Sequence, residues 1–324
     1  MIVFRADVSP RSGLSHLQRC AYLAALLRKD ARVSICSRED KRALKFLAAQ
    51  KVPFAMIRDP GVTDIGEAKA LIFDLSGFDE RDGALLEKAK RSGMQTVQIV
   101  PAAGRLQPVD VLVAPFPPSG TEGASAAVLL AGPQASLLHH KFRHFNKVRR
   151  KYREKARLLF VHLGDALPYR DLRAIVDALH RLRFRMKIHP GLDLKKADKR
   201  NLMRAYPGIH FRGRSESPAR AYFEADLALI PPGQEALEAA AVGTPALFMP
   251  LGKEDRDLAE ACLQLGTGLP FPALEAMSLT SIREALDPLT PERRQQMGEA
   301  GKKLVDGLGV QRFFKVLKEN GIIQ

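Results

Sequence analysis

Cysteine is scarce in this chain, with three residues in 324: Cys20, Cys36 and Cys262. They stand far apart and form no C-x-x-C pair. That excludes a disulfide framework and a cysteine-based zinc site, and it fits a reducing compartment. Long apolar runs are also missing, and no stretch approaches the length that spans a bilayer. The opening MIVFRAD reaches a charge at Arg5 and does not read as a signal peptide, so the expected location is the cytoplasm. Acidic residues are in deficit, with 36 Asp and Glu against 51 Lys and Arg, a formal net charge of +15. This excess points to an anionic partner: a phosphorylated ligand, an anionic membrane surface or nucleic acid. The patterns G-x-x-x-x-G-K-[S/T] and H-E-x-x-H are absent.

What is present is an ordinary globular composition, 46% hydrophobic and 27% charged, on a length that suits two domains. Strands are expected over residues 2–4, 33–37, 54–57, 70–74, 96–100 and 109–114, the last closing the first half. Helices over 14–27, 42–50 and 82–92 alternate with them. Residues 115–157 break the pattern with PFPPSGTEGASA and then the basic run HHKFRHFNKVRRKYREKAR. The scheme then repeats, with strands over 157–163, 184–188, 209–211, 227–230 and 246–249 and helices between them. Further helices follow near 258–265, 279–285, 291–305 and 311–320. Strands separated by helices imply parallel sheets covered on both faces. The expected fold is α/β, with two Rossmann-like domains over residues 1–145 and 146–324 and the last helix crossing back. Ligands of such sheets sit at the carboxyl ends of the strands, which here predicts a site in the cleft between domains.

Three turns could carry chemistry. The first runs from Arg5 through Asp7 and Gly13 to Ser15 and His16, at the start of the first helix. Free N–H groups at a helix start attract phosphate, and a histidine there can act as acid or base. An ordinary βα loop with a surface histidine is the plain alternative. The second turn is Pro231-Pro232-Gly233-Gln234, leading into a helix with Glu238 one turn in. That acid could bond a ribose diol, or could merely favour the helix N-terminus. The third is Leu163-Gly164-Asp165. Asp74 ends the buried-type strand ALIFD. His139, His140 and His144 lack carboxylate or cysteine partners, so no metal site is expected, and no cofactor is implied. His162 and His189 read as structural.

The residues Arg5, Ala6, Asp7, Gly13, His16, Arg19 and Cys20 resemble the signature R-A-D-x-x-x-x-I-G-x-G-H-x-x-R-C. It belongs to the pseudaminic-acid-pathway UDP-sugar hydrolases (PseG) and the spore-coat SpsG proteins, relatives of MurG glycosyltransferases. Ser12 and Ser15 stand where that signature has Ile and its second Gly. The segments 71–74, 109–113, 131–138 with Phe142, and 305–312 resemble further family segments in order and spacing. Glu238, Gly243 and Pro245 match the Glu, Gly and Pro of the MurG-like UDP-binding element. The resemblance implies a GT-B-like arrangement and a nucleotide-sugar substrate, with UDP the implied nucleotide. It implies His16 as the base that activates water. Arg5, Asp7, Gly13, Ser15, Asp74, Gly164, Asp165, Gly233, Gln234 and Glu238 would bind substrate. The implied activity is nucleotide-sugar hydrolysis in surface-glycan or nonulosonic-acid-type biosynthesis. A glycosyltransferase on the same scaffold is the alternative. A binding protein that has lost the chemistry is a third reading, favoured by the tyrosine missing after Asp74 and by Glu254-Asp255 where many relatives carry Asn-Gln.

The basic run is joined by Arg181, Arg183, Arg185, Lys187 and the stretch 195–204. These charges fit solvated faces, or an anionic membrane surface that would station the protein at the inner membrane face. Nucleic acid is the weakest partner. Phe142, Phe145 and Tyr152 could stack bases, but no RRM, KH or helix-turn-helix pattern accompanies them.

Overall fold

The computed structural model describes the chain except residues 10–12, 64, 101–105, 117–125, 165–166, 190, 192–193, 214–216 and 253–254. The described residues form two compact units, Met1–Leu137 with Leu308–Gln324, and Leu138–Gly307.

In the first unit seven strands pair in parallel: β1 (Ile2–Ala6), β2 (Val33–Arg38), β3 (Phe54–Ile57), β4 (Ala70–Asp74), β5 (Gln95–Ile99), β6 (Val111–Ala114) and β7 (Val128–Ala131). Their order is β3-β2-β1-β4-β5-β6-β7. Every residue of β1 and β4 is buried. Strands covered on both faces read as unbroken apolar runs, which is why IVFRA and ALIFD stand out in the sequence. Helices α1 (Ser15–Leu27), α2 (Lys41–Ala48) and α3 (Glu80–Arg91) provide crossovers, and α12 (Gly309–Glu319) returns from the chain end. The strand order reverses at β1 and β4, and there the carboxyl edge opens to a ligand.

The first sheet does not stop at residue 114, as the sequence had suggested, because β7 extends it. Residues 128–131 form an edge strand buried on neither face, with Leu129 half-exposed, so they lack the dense apolar run of a central strand.

The second unit has six parallel strands: β8 (Leu158–Val161), β9 (Arg185–Ile188), β10 (Ile209–Phe211), β11 (Leu227–Ile230), β12 (Ala246–Phe248) and β13 (Gly268–Pro270). They run in the order β10-β9-β8-β11-β12-β13. β13 was not foreseen. Its Gly-Leu-Pro carries no strand signal, and its glycine is there because an added Cβ would lie 2.4 Å from the Phe248 ring. Helices α4 (His140–Lys147), α5 (Tyr169–Arg181), α6 (Lys196–Ala205), α7 (Ala219–Glu224), α8 (Gln234–Ala241), α9 (Arg256–Gln264), α10 (Leu279–Leu286) and α11 (Pro291–Leu304) complete the unit. α4 lies within the basic run, and His139 caps it by accepting from the N–H of Lys141.

Helix α11 packs directly on α8 through glycines. A Cβ on Gly298 would sit 2.4 Å from the Gly243 carbonyl and 1.9 Å from the Tyr152 hydroxyl. Gly243 itself ends α8 at φ +72°, a conformation that favours glycine. Gly298→Ala will therefore destabilise the protein by about 1–3 kcal/mol in denaturant titration. Gly83→Ala in α3, with nothing within 4 Å of the new methyl, will stabilise it by about 0.4–1 kcal/mol. Equal effects at the two positions would remove close packing as the cause.

Candidate active site

The carboxyl end of β1 runs into a loop whose two ends are tied together. Ser9 and Gly13 exchange both backbone hydrogen bonds at 3.0 Å, and Gly13 takes φ +55°. Helix α1 begins two residues later and carries no acidic residue in its first turn. The backbone N–H groups of Ser15, His16 and Leu17 have no acceptor within the helix, so this end attracts negative charge.

His16, Arg19 and Cys20 follow the i, i+3, i+4 spacing that puts side chains on one helix face. That face meets Asp74 at the end of β4, where Asp74 is in register with Ala6 of β1. His16 Nδ1 lies 2.7 Å from Asp74 Oδ1. Arg19 grips the same carboxylate with a two-toothed fork, Nε donating to Oδ2 and Nη2 to Oδ1, each at 2.6 Å. The Cys20 thiol lies 3.6 Å from Oδ2. Burial raises the Asp74 pKa, but the Arg19 charge and the hydrogen bonds from His16 and Arg19 outweigh it and hold the group at about 2. Burial, with the Asp74 charge added, pushes the Cys20 thiol well up, so it stays protonated.

An ionised Asp74 can only accept, which assigns a proton to His16 Nδ1. Arg19 Nη2 also lies 3.3 Å from Nδ1, but the shorter contact to a full charge decides the tautomer. Nε2 then carries the lone pair, and no described residue bonds it. A carboxylate behind Nδ1 with a free Nε2 in front is the arrangement of a general base. The sequence had singled out His16 and Asp74 separately. It had not linked them, nor given Arg19 a role, although the His16–Arg19 spacing was available as a signal.

Arg5 and Asp7 have partners inside the unit. The Arg5 guanidinium is wholly buried, and it grips Asp7 through Nη1 and Nη2 at 2.6 Å and Asp82 through Nε at 3.0 Å. Asp7 also accepts from the Arg38 backbone N–H. Burial pushes Asp82 up to about 6 despite Arg5 and Arg38 nearby. This network braces the start of the loop and leaves the Arg5 guanidinium facing protein.

In the second unit the carboxyl edge gathers His162, His189 and Arg212 after β8, β9 and β10. His162 Nδ1 lies 2.9 Å from the Tyr222 hydroxyl, and burial, then the Arg212 charge, pushes His162 down to about 3, so it is neutral. Arg212 Nη1 donates to His189 Nδ1. Gly233, at φ +138°, opens α8, where Gln234 is the first residue and Glu238 stands one turn further, half-buried. The charges of Glu238 and Glu235 reach Tyr222 and help burial raise its hydroxyl pKa. Gly164 takes φ +74°, while Asp165 lies outside the described residues. Glu254 also lies outside them. Asp255 has a structural role in its own turn. It is buried, and its Oδ2 accepts from Leu251 N at 2.7 Å and Gly252 N at 3.1 Å, stapling its own turn.

The aromatic residues of the basic run are engaged within their own unit. Phe142 is buried, Phe145 stacks on Phe223 at 4.9 Å, and the Tyr152 hydroxyl donates to Gly243 O. They are not available as base-stacking platforms. Among the described residues, no helix is long and apolar enough to cross a membrane.

The two parallel α/β units of seven and six strands match the GT-B fold of solved structures that the chain resembles over nearly its whole length. The chain is similar over 98% of its length, and 99% of the other, to the crystal structure of MurG from Acinetobacter baumannii (TM-score 0.68, 16% identity). It is similar over 99% of its length, and 98% of the other, to the calicheamicin glycosyltransferase CalG4 (TM-score 0.64, 15% identity). It is also similar over 97% of its length, and all of the other, to the spinosyn rhamnosyltransferase SpnG, solved with thymidine diphosphate (TM-score 0.63, 14% identity). No family model matches the chain, and no curated protein matches it in sequence.

Proposed function

We propose that this protein is a glycosyltransferase that moves a sugar from a nucleoside diphosphate to an acceptor hydroxyl, with His16 as general base. The carrying observation is His16 on the first turn of α1, its Nδ1 fixed by Asp74 and its Nε2 unengaged. Nε2 takes the acceptor's hydroxyl proton, and the acceptor oxygen forms a bond to the anomeric carbon. The bond from that carbon to the β-phosphate oxygen breaks, and the nucleoside diphosphate leaves with the electron pair. Asp74 stabilises the imidazolium while it lasts. Arg19 keeps Asp74 ionised and oriented.

Two of these fold neighbours are named as a glycosyltransferase and a rhamnosyltransferase, and the second was solved with thymidine diphosphate. Together they favour transfer over the hydrolysis implied by the PseG/SpsG-like signature. Hydrolysis is the second reading, favoured by the match of Arg5, Ala6, Asp7, Gly13, His16, Arg19 and Cys20; water then takes the acceptor's place. Nucleotide binding falls to the second unit, with Gly233 and Gln234 opening α8 and Glu238 bonding the ribose diol.

The test has two parts. In calorimetric titration, UDP or thymidine diphosphate will bind the parent protein, and Glu238→Ala will weaken it at least about tenfold, the loss of charge-assisted hydrogen bonds. UDP- and thymidine-diphosphate-linked sugars are then incubated with and without a panel of hydroxyl acceptors. Release of nucleoside diphosphate only when an acceptor is present supports transfer. Equal release in buffer alone moves the assignment to hydrolysis. Binding without release under any condition leaves a nucleotide-sugar-binding protein.

A further inference from the structure

At the amino edge of the second sheet, opposite the strand ends just described, the surface opens into a cavity of about 610 Å³. It is lined by Arg153, Glu154, Lys155, Arg157, Leu158 and Arg185, four cations against one carboxylate. Leu158 and Arg185 are the first residues of β8 and β9, paired side by side, so the cations are set by sheet register. Buried Asp226 forms part of the foundation. It accepts from the backbone N–H of Arg157 and Leu158 at 2.9 Å and pairs with Arg153 at 3.2 Å. It neutralises that one cation. Lys155, Arg157 and Arg185 have no ion-pair partner among the described residues.

A fifth cation stands behind the wall. Arg294 is 1% exposed, and its Nη2 donates to the carbonyls of Arg153 and Glu154 at 2.5 and 3.0 Å. Its Nη1 has no hydrogen-bond partner among the described residues. A buried guanidinium so placed fixes the backbone of the lining and adds positive potential beneath it. Two cations of the basic stripe are neutralised elsewhere in the unit: Arg181 pairs with Asp177, and Lys187 with Glu224.

We propose that this cavity binds an anion carrying two or more phosphoryl groups. Guanidinium forks match phosphoryl oxygens in pairs, and several cations facing one space favour a ligand with several charges over a single carboxylate. The volume lies within the range that holds metabolite-sized ligands. One apolar residue in the lining means that charge does the holding, so binding weakens steeply with salt. Nucleic acid is disfavoured because Phe142 is buried, Phe145 stacks on Phe223 and the Tyr152 hydroxyl is held by Gly243 O. The site is separate from the nucleotide-binding edge, and the proposal stands whether or not glycosyl transfer does.

The phosphoryl groups could come from a free polyphosphorylated compound or from lipid headgroups, and the test separates these. The whole chain is titrated with inorganic tripolyphosphate, and separately sedimented with phosphatidylcholine vesicles with and without cardiolipin, whose headgroup carries two phosphodiesters. Each is repeated on Arg157→Glu/Arg185→Glu, whose exposed side chains can change without loss of the fold, as circular dichroism will show. Tripolyphosphate binding that falls at least about tenfold in the double variant supports the site with a free ligand. Binding to the cardiolipin vesicles alone, lost in the same variant, supports it with a headgroup as source. If neither probe binds the parent, or the variant binds both as the parent does, the proposal is overturned. Because nucleoside diphosphate binding is read separately through Glu238→Ala, the two assignments fail independently.

Discussion

Replacing His16 by alanine will lower nucleotide-sugar turnover by about 10²–10⁴-fold while leaving nucleoside diphosphate affinity unchanged. Proton removal in the transition state is the one step that requires Nε2, and nucleotide binding is assigned to groups of the second unit. The split between turnover and binding is the informative feature, because a merely unfolded variant would lose both. Asp74 keeps its fork from Arg19 in this variant, so the buried charge stays compensated. The measurement is release of nucleoside diphosphate under saturating donor, alongside titration with the diphosphate alone. Turnover within about tenfold of the parent would take His16 out of the chemistry.

Asp74→Asn will act on stability and activity together. The carboxylate is fully buried and compensates Arg19, whose guanidinium is itself buried. Removing one partner of such a pair costs about 3–5 kcal/mol, because the other charge is left without compensation. For a chain of this size that lowers Tm by on the order of 10 °C. Arg19→Gln in the same chain will recover part of the loss, and an absence of coupling in this double-mutant cycle would refute the pairing. The pH dependence has a definite sign. Asp74 is held at about 2, below its ordinary 3.8, so its contribution is present above pH about 4 and is lost as pH falls toward about 2. The asparagine variant will lack that component of acid destabilisation. Its activity will also fall, since an amide can turn its N–H toward Nδ1 and place the proton on Nε2.

Much of this arrangement was legible in the sequence, and the parts that were not share a cause. Strands β1 and β4 announced themselves because burial on both faces demands continuous apolar residues. Those two strands lie side by side although β2 and β3 separate them in the chain, and sequence order does not reveal that adjacency. The His16–Asp74 contact therefore spans 58 residues and was invisible, while each residue alone attracted notice. Arg5 was read as a ligand contact from its motif. Its position inside IVFRA carried the better signal, since a charge within a buried strand needs a buried counter-charge, and Asp7 and Asp82 supply it. The basic run was legible as charge, but its division into internal braces, such as Arg150 donating to the carbonyls of Phe223 and Ala225, and uncompensated cations needed coordinates.

The pair of backbone hydrogen bonds between Ser9 and Gly13 has an evolutionary meaning. They tie the exit of β1 to the start of α1, so that α1, and with it His16, takes its origin from a fixed point. Lengthening or rewriting residues 10–12 adds little closure entropy and leaves the frame of the histidine in place. The sequence between the two tied residues is thus free to drift without rebuilding the frame that holds His16 against Asp74.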